Sequence, residues 1–240
     1  ERLQVGGCAT ASSAAEAAAA LADPKVLACF LPRGGGGEGE GCAGDPVKLW
    51  QARIAAGLPA FDAAAVIPAD ASTPLLGDGG RPEWPAGLLE GLPPCLASEA
   101  SGPEMRAALG EACVLVDAFL AAARGAAQQP RALRLRLACL EHVQCSRLHW
   151  DDVPLRGLAV LAGTGTEVLP EAAVARTGFE QLAALPLEQQ GAMSPEAWNR
   201  RVLRDGGLHG GTVRVPAGWA LLLKGSEWPS GGGGPGAVHR

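Results

Sequence analysis

The hydrophobic period of this chain changes once, over a short stretch. From Pro103 to Arg124 (PEMRAALGEACVLVDAFLAAAR) a leading Pro and an early Glu104 precede Leu109, Cys113, Val116 and Leu120 at helical spacing. From Arg131 the period becomes two, with Leu133, Leu135, Leu137 and Cys139 alternating with Arg134, Arg136 and Ala138. A helix over about 104–124 followed directly by a half-buried strand is incompatible with an all-α or all-β chain. The fold class this predicts is α+β.

Other segments are read against that switch. Ser12 to Leu21 is Ala-rich and suits a helix, and Lys25 to Leu31 (KVLACFL) reads as a short buried strand. Arg33 to Gly44 is nearly all Gly with acidic interruptions, a composition that buries too little surface to offset its ordering entropy. Residues 1–45 are therefore expected to be a poorly ordered flank, with the domain proper at 46–240. Pro46 to Arg53 (PVKLWQAR) reads as β-type, and Pro68 to Pro94 is too rich in Pro and Gly for a long element. Leu155 to Leu161, Thr212 to Val215 and Trp219 to Lys224 are further strand candidates. Ser194-Pro195 marks the start of a short helix. Strands so spaced over 131–240 predict a jelly-roll or small barrel, double-stranded β-helix-like, with a helical N-terminal flank. The chain runs from Glu1 to His239-Arg240 and is expected to be part of a longer product, cut at its C-terminal end.

Charge and cysteine usage narrow the function classes. The net charge is −5, and the 20 Lys and Arg residues form no stripe, so nucleic acid is not an expected partner. No apolar run approaches the ~20 residues that cross a bilayer. Seven Cys residues, at 8, 29, 42, 95, 113, 139 and 145, include no CxxC pair and suit neither a disulfide framework nor a zinc ribbon. A reducing compartment, cytoplasm or organellar stroma, is the expectation.

The segment Cys145-Ser146-Arg147-Leu148-His149-Trp150-Asp151-Asp152 carries the chemistry. On an extended chain residues i and i+2 share a face, so His149 and Asp151 can converge on one point, as a metal requires. His239 is the candidate third ligand, brought from beyond the last strand. Two His and a carboxylate make the facial triad of non-haem Fe(II) oxygenases and also suit zinc. Cys145 would complete a closed zinc site. Arg156 and Arg240 could clamp a carboxylate, such as that of an oxo-acid cosubstrate like 2-oxoglutarate, and Glu167 could serve as a base or a ligand. Ordinary roles compete with each of these: a turn cap for Asp151, packing of His149 on Trp150 or Trp228, a small core residue for Cys145, and structural ion pairs for Glu167 and the two Arg. His142 and His209 have no partner spacing and read as structural. The Gly231 to Gly234 run reads as a loop that lets His239 close over a site. No GxSxG or HExxH motif is present, and the GxGxxG matches at Gly34–Gly39, Gly39–Gly44 and Gly231–Gly236 fall on the Gly-rich runs read as loops.

Several blocks together resemble a known family. His142 to Arg156 (HVQCSRLHWDDVPLR), Gly163-Thr164-Gly165-Thr166-Glu167, Leu221 to Trp228 (LLLKGSEW) and Val238-His239-Arg240 follow in the order of domain-of-unknown-function family 1826. Leu49-Trp50 and Arg53 are similar to its early Trp-x-x-Arg segment. The resemblance implies a polar motif of Cys145, His149, Asp151, Arg156, Gly165, Thr166, Glu167, Lys224, Trp228, His239 and Arg240. It also implies a link to zinc homeostasis, because such genes often neighbour zinc-homeostasis genes. The chain departs from the pattern at Leu161-Ala162 and Val168, where the family carries aromatics, and it stops before a Ser-Pro that follows the His-Arg pair. The expected activity is a metal-site protein, either oxygenase-like with Fe(II) or a non-enzymatic Zn(II)-binding protein. Its partner would be a small-molecule substrate or a metal-trafficking protein.

Overall fold

The structure is a computed structural model that describes residues 6–32, 45–69, 75, 82–126, 130–141, 145–204, 211–229 and 236–240. Its elements are β1 (Cys8–Thr10), α1 (Ala14–Ala22), β2 (Ala28–Leu31), α2 (Pro46–Ala55), β3 (Phe61–Pro68), α3 (Ala86–Glu90), α4 (Pro94–Ala97), α5 (Pro103–Gly125), β4 (Ala132–Cys139), β5 (Leu155–Ala159), β6 (Glu167–Val168), α6 (Arg176–Ala183), α7 (Leu187–Ala192), α8 (Pro195–Val202), β7 (Val213–Arg214) and β8 (Ala220–Lys224).

α5 is the spine. Its Ala-rich sequence lets both flanks pack closely. Met105, Leu109, Val116 and Leu120 join a core with Trp50, Trp84, Leu88 and the β3–β4 pair. Ala118 and Ala122 join a second core with Leu21, Cys29, Leu222 and Trp228. β3 and β4 pair antiparallel from Phe61↔Cys139 to Pro68↔Ala132, so Leu133, Leu135 and Leu137 fall on one face, as the alternation predicted.

The largest sheet has the order β1-β2-β8-β5, parallel between β1 and β2 and antiparallel elsewhere. β2 and β8 are central, which explains why ACFL and ALLLK are buried at every position. One face of this sheet carries α1 and α5. On the other, Phe30, Leu221 and Leu223 pack against Val168, Val213 and Ala237 of a short extended ribbon. The far side of the ribbon packs on α6 and α8 through Leu148, Phe179, Leu182, Trp198 and Val238. Helices, sheet, ribbon and helices therefore succeed one another.

The α+β class is observed, but the jelly-roll is not. Among the described residues no sheet closes into a barrel. The physical reason is the stretch 176–202, where three helices stand between β6 and β7 and take up chain that a jelly-roll needs as strands. The helix read at Ser12–Leu21 and the buried strand read at Lys25–Leu31 are observed as α1 and β2. Residues 8–31, read as part of a poorly ordered segment, contain β1, α1 and the fully buried β2, which pairs with β8 from Ala28↔Leu223 to Leu31↔Ala220. Pro46 to Arg53 is helix rather than strand: the Asp45 carboxylate accepts from the Val47 N–H, and Pro46 sits at the first turn, a start signal that outweighs β-type side chains. The Gly-rich runs 33–44 and 231–234, with His142 and His209, lie outside the described residues.

Candidate metal centre

The site is built on the ribbon. His149 and His239 form an antiparallel bridge in which each N–H donates to the other's carbonyl, at 2.9 and 2.8 Å. The last residues then continue onto β6: the Arg240 and Glu167 N–H groups exchange hydrogen bonds at 2.9 Å each, and the Leu169 N–H donates to the Val238 carbonyl at 2.8 Å. The C-terminal segment is thus an inserted strand between 148–150 and β6. Directly opposed residues share a face, which sets the two imidazoles side by side with centroids 4.5 Å apart. Asp151, two residues along, falls on the same face.

The side chains converge. His239 Nε2 lies 3.3 Å from Asp151 Oδ2 and His149 Nε2 lies 3.9 Å from Asp151 Oδ1. One donor atom from each of the three falls within 4.8 Å of the others. Two atoms bound to one ion at about 2.1 Å each can be no more than ~4.2 Å apart, so small side-chain rotations are enough to bring them to a common metal. Each imidazole is oriented from behind. Nδ1 of His149 is 2.9 Å from the Arg147 carbonyl and Nδ1 of His239 is 3.1 Å from the Ala237 carbonyl. A carbonyl only accepts, so Nδ1 carries a proton in both rings, and in the neutral ring of His149 the Nε2 lone pair is left toward Asp151. His239 Nε2 is buried with no hydrogen-bond partner, and it lies 3.3 Å from Asp151 Oδ2, an oxygen that also ion-pairs with Arg156 Nε at 3.0 Å. Two imidazoles and a carboxylate converging in a largely buried cleft are a donor set that suits a metal ion.

Electrostatics agree. Burial, joined by the charges of His239 and Arg156, holds the His149 imidazole below its usual range and outweighs the Arg147 carbonyl and Asp151. Burial alone would raise the Asp151 carboxyl, but His239, Arg156 and His149 overcome it and hold it low. At neutral pH the site presents a neutral imidazole at 149 and a carboxylate, the forms that ligate metals. It opens on one side, because the His149 side chain is 30% exposed against 4% for His239 and 10% for Asp151.

The family described as "Protein of unknown function (DUF1826)" matches residues 96–240, more than half of the chain. The chain belongs to this family. No curated protein and no solved structure matches it. The DUF1826 region holds α5, all three converging residues, and β5 and β8, two of the four strands of the largest sheet.

The structure separates the remaining candidates of this DUF1826 chain. Arg156, on β5, reaches the triad, with Nε 3.0 Å from Asp151 Oδ2. Glu167 and Arg240 do not join the group. They are one residue out of phase with the bridge positions Val168 and His239, so alternation places them on the reverse face, where Glu167 pairs with Arg240 at 2.7 Å and with Arg214. Cys145 is also outside the group: its Sγ points to the Arg147 carbonyl at 3.4 Å, the same oxygen that orients His149. Lys224 is buried, with Nζ donating to the Asp23 carbonyl at the end of α1 at 2.9 Å and lying over the Trp228 ring.

Three residues that hold the site were not singled out in the sequence. The strand edge opposite His239 is closed by α8. The Leu148 N–H donates to Asn199 Oδ1 at 2.7 Å, the Asn199 amide donates to the Ser146 carbonyl at 3.0 Å, and Trp198 Nε1 donates to the Leu148 carbonyl at 2.8 Å. A buried Asn inside a helix (PEAWNRRV) was the available signal, since Asn is a poor helix former unless its amide has a task. Gly225 contributes by absence. A Cβ there would fall 1.8 Å from the Val153 carbonyl oxygen, in a turn where the Ser226 N–H donates to the Asp151 carbonyl at 2.9 Å.

Proposed function

We propose that this chain binds a divalent transition-metal ion through His149 Nε2, the Asp151 carboxylate and His239 Nε2, and acts as a non-haem Fe(II) oxygenase-like enzyme on a small molecule. The observation that carries this reading is the convergence of one ligand atom each from His149, Asp151 and His239 within 4.8 Å of one another, with His239 Nε2 buried and without a hydrogen-bond partner. Two His and one carboxylate leave coordination positions open, and such an ion supplies Lewis acidity and oxygen activation when bound. His149 and the exposed side of the cleft would receive a substrate, with an acidic cosubstrate such as 2-oxoglutarate as the oxygenase version requires. The alternative, a closed non-enzymatic zinc site linked to zinc homeostasis, requires Cys145 as fourth ligand. Its Sγ is committed to the Arg147 carbonyl, which favours the open reading.

Metal analysis of anaerobically purified protein tests this. The wild type should hold about one ion per chain, and a saturating metal at ~100 times its Kd should raise stability by about 2.7 kcal/mol. His149→Ala should abolish both the bound ion and any oxygen consumption. Unchanged metal content in that variant would refute the assignment, and zinc lost on Cys145→Ser would favour the closed site.

A further inference from the structure

Arg156 is the charged side chain of the cleft that the triad leaves unexplained. It projects from β5 on the side that faces the ribbon, the same side as Leu158 and Leu221, which pack against Val168 and Ala237. Its Nε meets Asp151 Oδ2, its side chain is 43% exposed, and among the described residues no hydrogen bond occupies its Nη groups. The guanidinium therefore touches the candidate ligand carboxylate with one edge and presents its remaining donors to solvent. Arg156 and His149 both contact Asp151, both are partly exposed, and the Arg156 charge is felt at the His149 ring.

Charge gives this placement a consequence. Glu167 is committed to Arg240 and Arg214 on the reverse face, so Asp151 is the carboxylate that faces the triad. With a divalent ion in place, that carboxylate and the Arg156 guanidinium leave a local charge of about +2 in a partly dehydrated cleft. A neutral ligand leaves that charge uncompensated. An oxyanion compensates it, with one oxygen at an open coordination position and another on the Nη donors in fork geometry.

Resting on the metal reading above, we propose that the exogenous ligand of this site is an oxyanion, a carboxylate or phosphate group bridging the metal and Arg156, and that Arg156 selects it. Asp151 holds the guanidinium at the rim, and Arg156 discriminates by charge and by its planar pair of donors. Arg240 takes no part in this.

The test uses the full chain loaded with Co(II) under anaerobic conditions, followed through the visible d–d bands during titration with oxalate and, separately, with inorganic phosphate. Retention of Co(II) is checked by ultrafiltration. At least one anion should shift the bands in the wild type. With each protein titrated at saturating Co(II), Arg156→Gln should weaken that anion by at least ~10-fold. Arg156→Lys should recover part of the loss, since it restores charge without the fork. The anion that depends on Arg156 identifies the source, carboxylate or phosphate. Equal anion affinity in the wild type and the Gln variant would overturn the proposal and leave the metal reading standing. Failure of the wild type to take up Co(II) would remove the metal reading and this proposal with it.

Discussion

The ribbon carries two polar clusters on its opposite faces, built from adjacent residues and opposite in kind. On one face His149, Asp151 and His239 converge, with His239 Nε2 buried and without a hydrogen-bond partner. On the other, Arg240 and Arg214 close around Glu167 and satisfy its carboxylate from both sides. In the second cluster one carboxylate is closed in by two guanidinium groups, whereas in the first two imidazoles and a carboxylate turn their ligand atoms toward one point. Satisfied ion pairs are structural, while such converging ligand atoms mark a candidate metal site. Sequence reading offered Glu167 as a base or ligand and Arg240 as a carboxylate clamp, yet a shift of one residue along a strand is a change of face.

Four measurements sharpen or break that contrast. The largest effect belongs to the triad: His239→Ala or Asp151→Asn should weaken metal binding by at least ~100-fold, about 2.7 kcal/mol, read by equilibrium dialysis. A change under threefold would place both faces in the same structural class. Next comes the support of the strand. Asn199→Ala leaves the buried Leu148 N–H without its acceptor and should cost about 1–3 kcal/mol in denaturant unfolding, with a smaller loss of metal affinity as His149 loosens.

Glu167→Gln should behave in the reverse sense. It should cost about 1 kcal/mol of stability, because Arg214 is well exposed and its pair is screened, yet leave metal affinity within ~3-fold. A collapse of metal binding in this variant would show the two faces to be coupled.

The smallest effect is a pH signature. Hydrogen bonding from Arg214, then Arg240, holds the Glu167 carboxyl below its usual range. The unfolded chain therefore binds this proton more readily than the folded one. The stability contributed by Glu167 is fully present above the ordinary Glu value of about 4.3 and is lost as pH falls through the lower folded value. Acid unfolding of the wild type should show that extra slope below about pH 4.3, and Glu167→Gln should lack it.

Local patterns made much of the secondary structure legible. The ends of α5, the alternation of β4, the start of α8 at Ser194-Pro195 and the buried runs of β2 and β8 follow from period, capping and hydrophobicity, which a window of ten residues contains. β3 escaped because FDAAAVIP is Ala-rich and weakly β-forming, and it becomes a strand through its eight-residue register with β4. α2 escaped because its Asp45-Pro46 start was passed over in favour of Val47, Leu49 and Trp50. The barrel expectation failed because strand spacing says nothing about which strands pair, and the central sheet draws strands from both ends of the chain.

For the site, the sequence alone determined that His149 and Asp151 share a face, since a two-residue spacing on extended chain leaves no other choice. That His239 meets them, that Arg156 joins them and that Glu167, Arg240 and Cys145 do not, was decided by tertiary structure. The register of a strand inserted between residue 149 and β6 depends on hydrogen bonds to segments about 70 and 90 residues away along the chain, and on α8 holding the far edge. Such pairings are long-range energies, and no local run of residues encodes them.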